Sequence, residues 1–469
     1  MNDTTTVETH LSKFSELALS PELVSNLESL NYHSMTQVQA ESLPHILKGE
    51  DVIAQAKTGS GKTAAFGLGL LEKLEVKRFR IQSIVLCPTR ELADQVANEI
   101  RRLARSIHNI KVLTLCGGKP FGPQIGSLEH GAHIIVGTPG RIEEHIRKGS
   151  LVLDNVSMFI LDEADRMLEM GFQDALEKIA EAMPAKKQTL LFSATFPKGI
   201  EKIAQRFLQN PVRITVEEAH TQTTIKQLFY KIKSDDEKIK ALHLLLQKHQ
   251  PVSTVVFCNT KVMTVFVAEE LTRLGFSAEA LNGDLEQKDR DQIMTRFSGK
   301  AISILVATDV AARGLDIDGL DAVVNFELSR DPEVHVHRIG RTGRAGESGT
   351  AFSFYGDSDS YKVSLIGDEY HLEIKPSLLP DASVLSKPAF WPKMACIQID
   401  GGKKDKLRPG DILGALTSTN SIQADQIGKI SVFPNKAFVA VERTSLKTAL
   451  ALFNEGKMKG KRFRVRHLR

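Results

Sequence analysis

Short β-branched apolar runs alternate with amphipathic stretches of helical period in two long blocks of the chain, a pattern that predicts parallel strands joined by crossover helices. In the first block the strand-like runs fall at 51–54, 83–87, 112–115, 133–136, 158–161 and 189–192. In the second they include 253–258, 303–307, 322–325 and 350–354. The pattern lapses around 210–224, which places a hinge there. Between 375 and 393 the text carries four prolines and no periodicity, the mark of a connector. Beyond it come a strand (MACIQIDGG), a basic turn and helix (KKDKLRPGDILGAL), the stretch IGKISVFPNKAFVAVE, a helix from Ser445 and a last strand (KRFRVRHL). The expected fold is α/β: two tandem parallel-sheet domains over 1–212 and 213–375, a linker over 376–393, and a small α+β domain over 394–469.

A chain of 469 residues is too long for one core and fits about three domains. With 42% hydrophobic and 25% charged residues it reads as a soluble globular protein, and no apolar run approaches the roughly 20 residues that cross a bilayer. The start, MNDTTTVETH, lacks the basic and apolar regions of a signal peptide, so a cytoplasmic location is expected. Cys87, Cys116, Cys258 and Cys396 stand singly among apolar neighbours and read as core residues. The net charge of +4 conceals an asymmetry: from Lys393 onward sixteen Lys and Arg face six Asp and Glu, a balance of +10 against −6 for the rest. That concentration fits either a solvated basic face or a nucleic-acid footprint.

Chemistry enters at Ala56-Lys57-Thr58-Gly59-Ser60-Gly61-Lys62-Thr63, which follows a strand-like run and opens a helix-compatible one. In that context it is a phosphate-binding loop: glycines let backbone N–H groups approach phosphates, Lys62 reaches the outer phosphates, and the Thr63 hydroxyl ligates Mg2+. The run at 158–161 then delivers Asp162-Glu163-Ala164-Asp165 at a strand end. There Asp162 would hold Mg2+ through water, and Glu163 would orient or deprotonate the attacking water.

Further motifs follow in order: Pro88-Thr89-Arg90-Glu91-Leu92-Ala93, Gly117-Gly118, Thr138-Pro139-Gly140-Arg141, Ser193-Ala194-Thr195, Gly283-Asp284, the run from Ala307 through Thr308 and Gly314 to Asp316, and His337-Arg338-Ile339-Gly340-Arg341-Thr342-Gly343-Arg344. With the DEAD tetrapeptide they resemble the DEAD-box RNA helicases over about residues 12–355. The resemblance implies two RecA-like domains, with Arg341 and Arg344 as paired arginine fingers supplied by the second. It implies ATP contacts at Gly314 and Asp316 and a coupling role for Ser193 and Thr195. An adenine-reading segment is matched by Phe14, Tyr32 and Gln39; Tyr32 would stack on the base and Gln39 pair with its N6 and N7 edge. Asn31 and Met35 stand where the family commonly has glycine and proline. RNA contacts are implied at Thr89, Arg90, Gly118, Thr138, Gly140, Arg141 and Thr308, groups suited to backbone rather than base.

The order of the final domain is that of an RNA-recognition motif, with Ile397 and Ile399 read at positions where stacking rings are usual. Joined to a DEAD-box core, GGKKDKLRPGDILGAL resembles the DbpA type of bacterial helicase, whose tail recognises a hairpin of large-subunit ribosomal RNA. Lys403, Lys404, Lys406 and Arg408 precede a helix, and Lys461, Arg462, Arg464 and Arg466 lie on the last strand, where alternation puts the three arginines on one face. The expectation is therefore an ATP- and Mg2+-dependent RNA helicase acting on 23S rRNA in large-subunit precursors, with neither a membrane nor an obligate protein partner. A nucleotide-switched RNA scaffold and a DNA-directed superfamily 2 translocase are the alternatives; a scaffold would be expected to have lost Glu163 or an arginine finger.

Overall fold

Strands whose side chains are buried on both faces form the centres of two parallel sheets, as crossover helices on either side require. The computed structural model describes residues 13–56, 59–196, 198–216, 225–312, 319–343, 349–370 and 372–468. They divide into two compact units that part near residue 219.

In the first unit lie β1 (Val52–Gln55), β2 (Ser83–Leu86), β3 (Val112–Leu115), β4 (Ile134–Gly137), β5 (Met158–Asp162), β6 (Gln188–Ser193) and β7 (Val212–Thr215). They pair in parallel in the order β3-β4-β2-β5-β6-β1-β7. This order places β6 between β1, which feeds the phosphate loop, and β5, which ends in Asp162. Anything at the end of β6 therefore sits between the two.

The second unit contains β8 (Ile225–Lys231), β9 (Thr254–Cys258), β10 (Ala278–Leu281), β11 (Ile304–Thr308), β12 (Ala322–Asn325) and β13 (Gly349–Tyr355). These are parallel in the order β10-β11-β9-β12-β13-β8. Three strands, β7, β8 and β10, are absent from the sequence expectation, and each lies at a sheet edge. β7 occupies part of the stretch read as a hinge; residues 217–224 lie outside the described residues.

The same unit carries an antiparallel sheet of β14 (Met394–Ile399), β15 (Ile427–Val432), β16 (Ala437–Glu442) and β17 (Val465–Leu468), in the order β15-β16-β14-β17. Helices Pro409–Thr417 and Leu446–Glu455 cover one face. Ile397 and Ile399 belong to that helix-covered core, which corrects their reading as positions on the open face. Alternation leaves Cys396 and Gln398 of β14 and Phe438 and Ala440 of β16 on the other side. That side is not bare. Cys396 and Phe438 pack with Ala301, and a Cβ at Gly299 would stand 3.2 Å from that of Ala440.

The proline-rich stretch runs along the second unit. Ser377 N–H donates to Phe229 O (2.7 Å), Gln247 Nε2 donates to Lys387 O (3.0 Å), and Phe390 packs on Phe276 with ring centroids 5.4 Å apart. Arg443 closes it, donating to the carbonyls of Pro392 and Met394 while its guanidinium covers Trp391.

Candidate active site and nucleic-acid surfaces

The end of β1 and the end of β5 face one cavity of about 260 Å³, lined by Gly59, Gly61, Lys62, Thr63, Asp162, Glu163, Tyr32 and Glu99 among others. Gly61 has φ +96°, and a Cβ there would overlap the Gln39 amide, so only glycine fits the turn into helix Lys62–Glu72. Lys62, buried, donates from Nζ to Ala56 O at 2.6 Å. Ala56 N in turn donates to Ser193 O at 2.9 Å, so the loop is fastened to the end of β6. Lys57 and Thr58 lie outside the described residues.

Asp162 is 3% exposed, and burial pushes its carboxyl up to about 7 against the opposing pull of Lys62. Its Oδ1 is buried with no hydrogen-bond partner among the described residues, as is Ser60 Oγ. A shielded carboxylate oxygen without a proton donor, sharing a cavity with the Thr63 hydroxyl, suits a hard divalent cation. Glu163 has φ +52° and ψ +53°, a left-handed conformation rare for such a residue, as it caps helix Ala164–Glu169.

Asp165 was assigned no separate role from sequence. Its Oδ1 accepts from Arg166 N (2.9 Å), and its Oδ2 accepts from Thr195 N (3.0 Å) and Thr195 Oγ1 (2.9 Å). Ser193 Oγ donates to Thr195 O at 2.7 Å. The signal was available, since β6 lies between β1 and β5, but it required the strand order.

In the adenine-reading segment, Phe14 is buried and meets Tyr32 edge-on at 6.1 Å. Tyr32 donates its hydroxyl to Glu99 Oε1 (2.8 Å) beneath Arg102, and burial followed by Glu99 raises the phenol to about 12. Gln39, 2% exposed, accepts from Thr36 N (2.9 Å) and donates to Gly61 O (3.0 Å), joining this segment to the phosphate loop. Asn31 takes φ +62°, the backbone region its glycine counterpart would occupy freely, and Met35 fills the core.

Residues 36–203 match the DEAD/DEAH box helicase family, 237–346 the helicase conserved C-terminal domain, and 396–467 the DbpA RNA binding domain. The chain is 51% identical over 460 residues to the ATP-dependent RNA helicase DbpA of Escherichia coli (strain K12), covering 98% of this chain and 100% of that one. It belongs to the DEAD-box ATP-dependent RNA helicases, in the DbpA group. The DbpA of Bacillus subtilis (strain 168) is 35% identical, with 97% of this chain and 99% of that one covered. A structure of S. cerevisiae Dbp5 bound to RNA and ADP BeF3 superposes with TM-score 0.70 at 30% identity, over 78% of this chain and 95% of that one. As a DEAD-box helicase the chain is an RNA-dependent ATPase with an RNA-binding domain at its C-terminal end.

Of the implied RNA contacts in the first unit, Thr89 caps helix Arg90–Leu103 by accepting from Leu92 N (3.2 Å). Gly118, at φ +70°, lies so close to the Arg90 guanidinium that a Cβ would overlap it. Thr138 Oγ1 accepts from Gly117 N (3.4 Å), and Arg141 Nη1 donates to Lys119 O (2.9 Å) with its guanidinium over Phe121. Nothing lies within 4 Å of a Cβ built on Gly140, leaving open space there. These loops follow β2, β3 and β4, neighbours in the sheet, and so gather at one end of it.

In the second unit, Thr308 Oγ1 accepts from Ala311 N (3.3 Å). Arg341 is half-buried; Gly314, Asp316 and Arg344 lie outside the described residues. The buried member of the arginine series is Arg338. It grips Asp309 with two bonds (2.6 and 2.7 Å) and donates to Glu327 O, Asn325 and Asn259. By residue type and spacing alone it does not stand apart from its neighbours.

In the tail, Lys403, Lys404, Lys406 and Arg408 are exposed, as are Lys461, Arg462, Arg464 and Arg466. The Lys461–Asp405 ion pair (3.2 Å) and the Asp400 N to Arg464 O bond (2.9 Å) bring the two clusters to one edge. Arg462 and Arg464 precede β17 and Arg466 lies on it, donating to Gln398 Oε1 at 3.3 Å.

Proposed function

We propose that this helicase remodels 23S rRNA in large-subunit precursors in the cytoplasm, with its tail selecting a large-subunit rRNA hairpin and its core separating strands nearby. The convergence of two basic clusters on one edge of the tail carries this reading. With Phe438 covered by Ala301 and Phe433 only half-exposed against it, the sheet face offers no fully open ring for a base among the described residues. The exposed edge around Lys403, Lys404, Arg462 and Arg464 then becomes the RNA-reading surface.

In the core, Lys62 and the loop amides bind the nucleotide's phosphates, and Tyr32 carries the adenine. Mg2+, when bound, neutralises phosphate charge beside Thr63 and Asp162. Glu163 orients the attacking water and accepts its proton. Arg341 and Arg344 balance charge developing on the γ-phosphate. Thr89, Arg90, Gly118, Thr138, Gly140, Arg141 and Thr308 hold RNA by its backbone, so the core is indifferent to sequence.

Photocrosslinking the full chain to total cellular RNA tests the reading. Enrichment of one large-subunit rRNA hairpin at peptides from 394–469 is expected. Crosslinks spread evenly over unrelated RNAs would contradict it.

A further inference from the structure

Four consecutive exposed residues, Lys77, Arg78, Phe79 and Arg80, join helix Lys62–Glu72 to β2. Most basic runs are solvated faces of no consequence, so what surrounds this one decides the matter.

The backbone beneath it is pinned by buried side chains. Gln82 accepts from Glu75 N (3.0 Å) and donates to Glu75 O (2.9 Å) and Arg78 O (2.7 Å). His133 accepts at Nδ1 from Lys111 N (3.1 Å), which leaves its Nε2 proton to donate to Val76 O (3.0 Å). Phe79 is 51% exposed yet not loose. It stands edge-on to His133 with centroids 4.6 Å apart, and its other support is Gly131, where a Cβ would overlap the ring. One side of the ring is braced and the rest is open.

Several other basic residues of the same unit are paired, although Lys48, Arg105, Lys186 and Lys202 are not, so it is the ring beside the cations that sets this loop apart. Lys119 and Lys148 pair with carboxylates, and Arg141 binds both Glu144 and a carbonyl. The side chains of Lys77, Arg78 and Arg80 make no hydrogen bond, ion pair or ring contact with the described residues. Glu75 is the single acid within the loop.

We propose that loop 75–82 is a second, sequence-independent contact for single-stranded RNA, with phosphates against Lys77, Arg78 and Arg80 and a base on the open part of Phe79. Unpaired cations beside a half-exposed, braced ring are the combination that holds single strands. The loop enters β2 at the end opposite Thr89 and Arg90. The strand separates the two, so RNA must extend past the core loops to reach it. It would hold an unpaired arm flanking the duplex being opened.

The test uses the full chain, a short RNA of about 10 nucleotides, within the size of one single-strand site, and a single strand several times longer. Lys77→Ala/Arg78→Ala/Arg80→Ala should weaken long-RNA binding about a hundredfold near 0.1 M salt and reduce the log–log salt slope by roughly 2, three phosphate contacts at about 0.7 each. Phe79→Leu, which keeps an apolar side chain against His133, should weaken it at least about fivefold, the low end of a lost stack. Short-RNA binding and the thermal midpoint should stay at parental values. Arg78→Ala alone, with about one-third of the slope change, serves if the triple variant folds poorly. Unchanged long-RNA affinity and slope would overturn the proposal, as would equal losses on both RNAs. Loss of poly-glutamate binding with RNA binding intact would overturn it too, assigning the loop to an acidic protein.

Discussion

Asp165 Oδ2 accepts two hydrogen bonds from Thr195, from its backbone N at 3.0 Å and its hydroxyl at 2.9 Å. This joins the helix that begins at the carboxylate end of β5 to the end of β6, whose Ser193 O holds the phosphate loop through Ala56 N. In the proposed coupling role, a shift of the acidic segment on hydrolysis would be passed through these bonds to the end of β6. Thr195→Val deletes the hydroxyl donor and keeps the shape. A hydrogen bond to a charged group contributes about 1.5–3 kcal/mol, so duplex unwinding should fall by roughly 10- to 100-fold. ATP turnover should fall far less, and comparing the two assays on one preparation checks it.

Glu163→Gln should abolish ATP turnover while preserving ATP-dependent retention on RNA, because the amide keeps the geometry and removes the base. Native gel retention beside phosphate release reads both. Near-normal hydrolysis would remove Glu163 from the role of base.

Arg344→Ala should lower hydrolysis by about 10³-fold, the scale of an arginine finger, and leave nucleotide-free RNA binding nearly intact. Single-turnover hydrolysis and anisotropy separate the two. Equal losses would make Arg344 structural.

Burial raises the Asp162 carboxyl to about 7, so the nucleotide-free protein holds a proton there that the unfolded chain, with its ordinary value of 3.8, releases. The folded state therefore gains stability from this group that is fully present below about 3.8 and lost as pH rises through about 7. Holding Mg2+ through water, as proposed for Asp162, would need the ionised carboxylate. Mg–ATP binding should release close to one proton at pH 6 and much less at pH 8, with affinity weakening below about 7. Calorimetry in buffers of different ionisation enthalpy counts the protons, and Asp162→Asn should abolish the release.

The central strands were readable from sequence because burial on both faces leaves continuous apolar runs, and the phosphate loop and DEAD segment stood at their ends. Of the four edge strands of the two parallel sheets, β3 was readable but β7, β8 and β10 were not. VRIT in β7 and AEAL in β10 pair on one side only and tolerate polar positions that blur the period. Ile397 and Ile399 are matched to the motif's ring positions by resemblance alone; β14 is buried on both sides, by helices on one and Ala301 on the other, so alternation carries no polarity that could place them in the helix-covered core. Arg338 is indistinguishable from Arg341 by type and spacing; its burial against Asp309 is what separates it from the half-buried Arg341. The connector's prolines suppressed any periodic signal, while Phe390 and Arg443 settle how it runs through packing and carbonyl contacts that have no local pattern.

The division of labour between a backbone-reading core and a selecting tail is most directly tested by the ATPase activity of the full chain and of a chain ending at Lys393. Each is measured with matched 23S rRNA and unrelated RNAs at one fixed salt concentration, since electrostatic binding shifts steeply with salt. The full chain should be stimulated more strongly by the ribosomal RNA. The shortened chain should remain a weaker RNA-stimulated ATPase that responds equally to both. A shortened chain that keeps the full preference would place selection in the core and contradict the account.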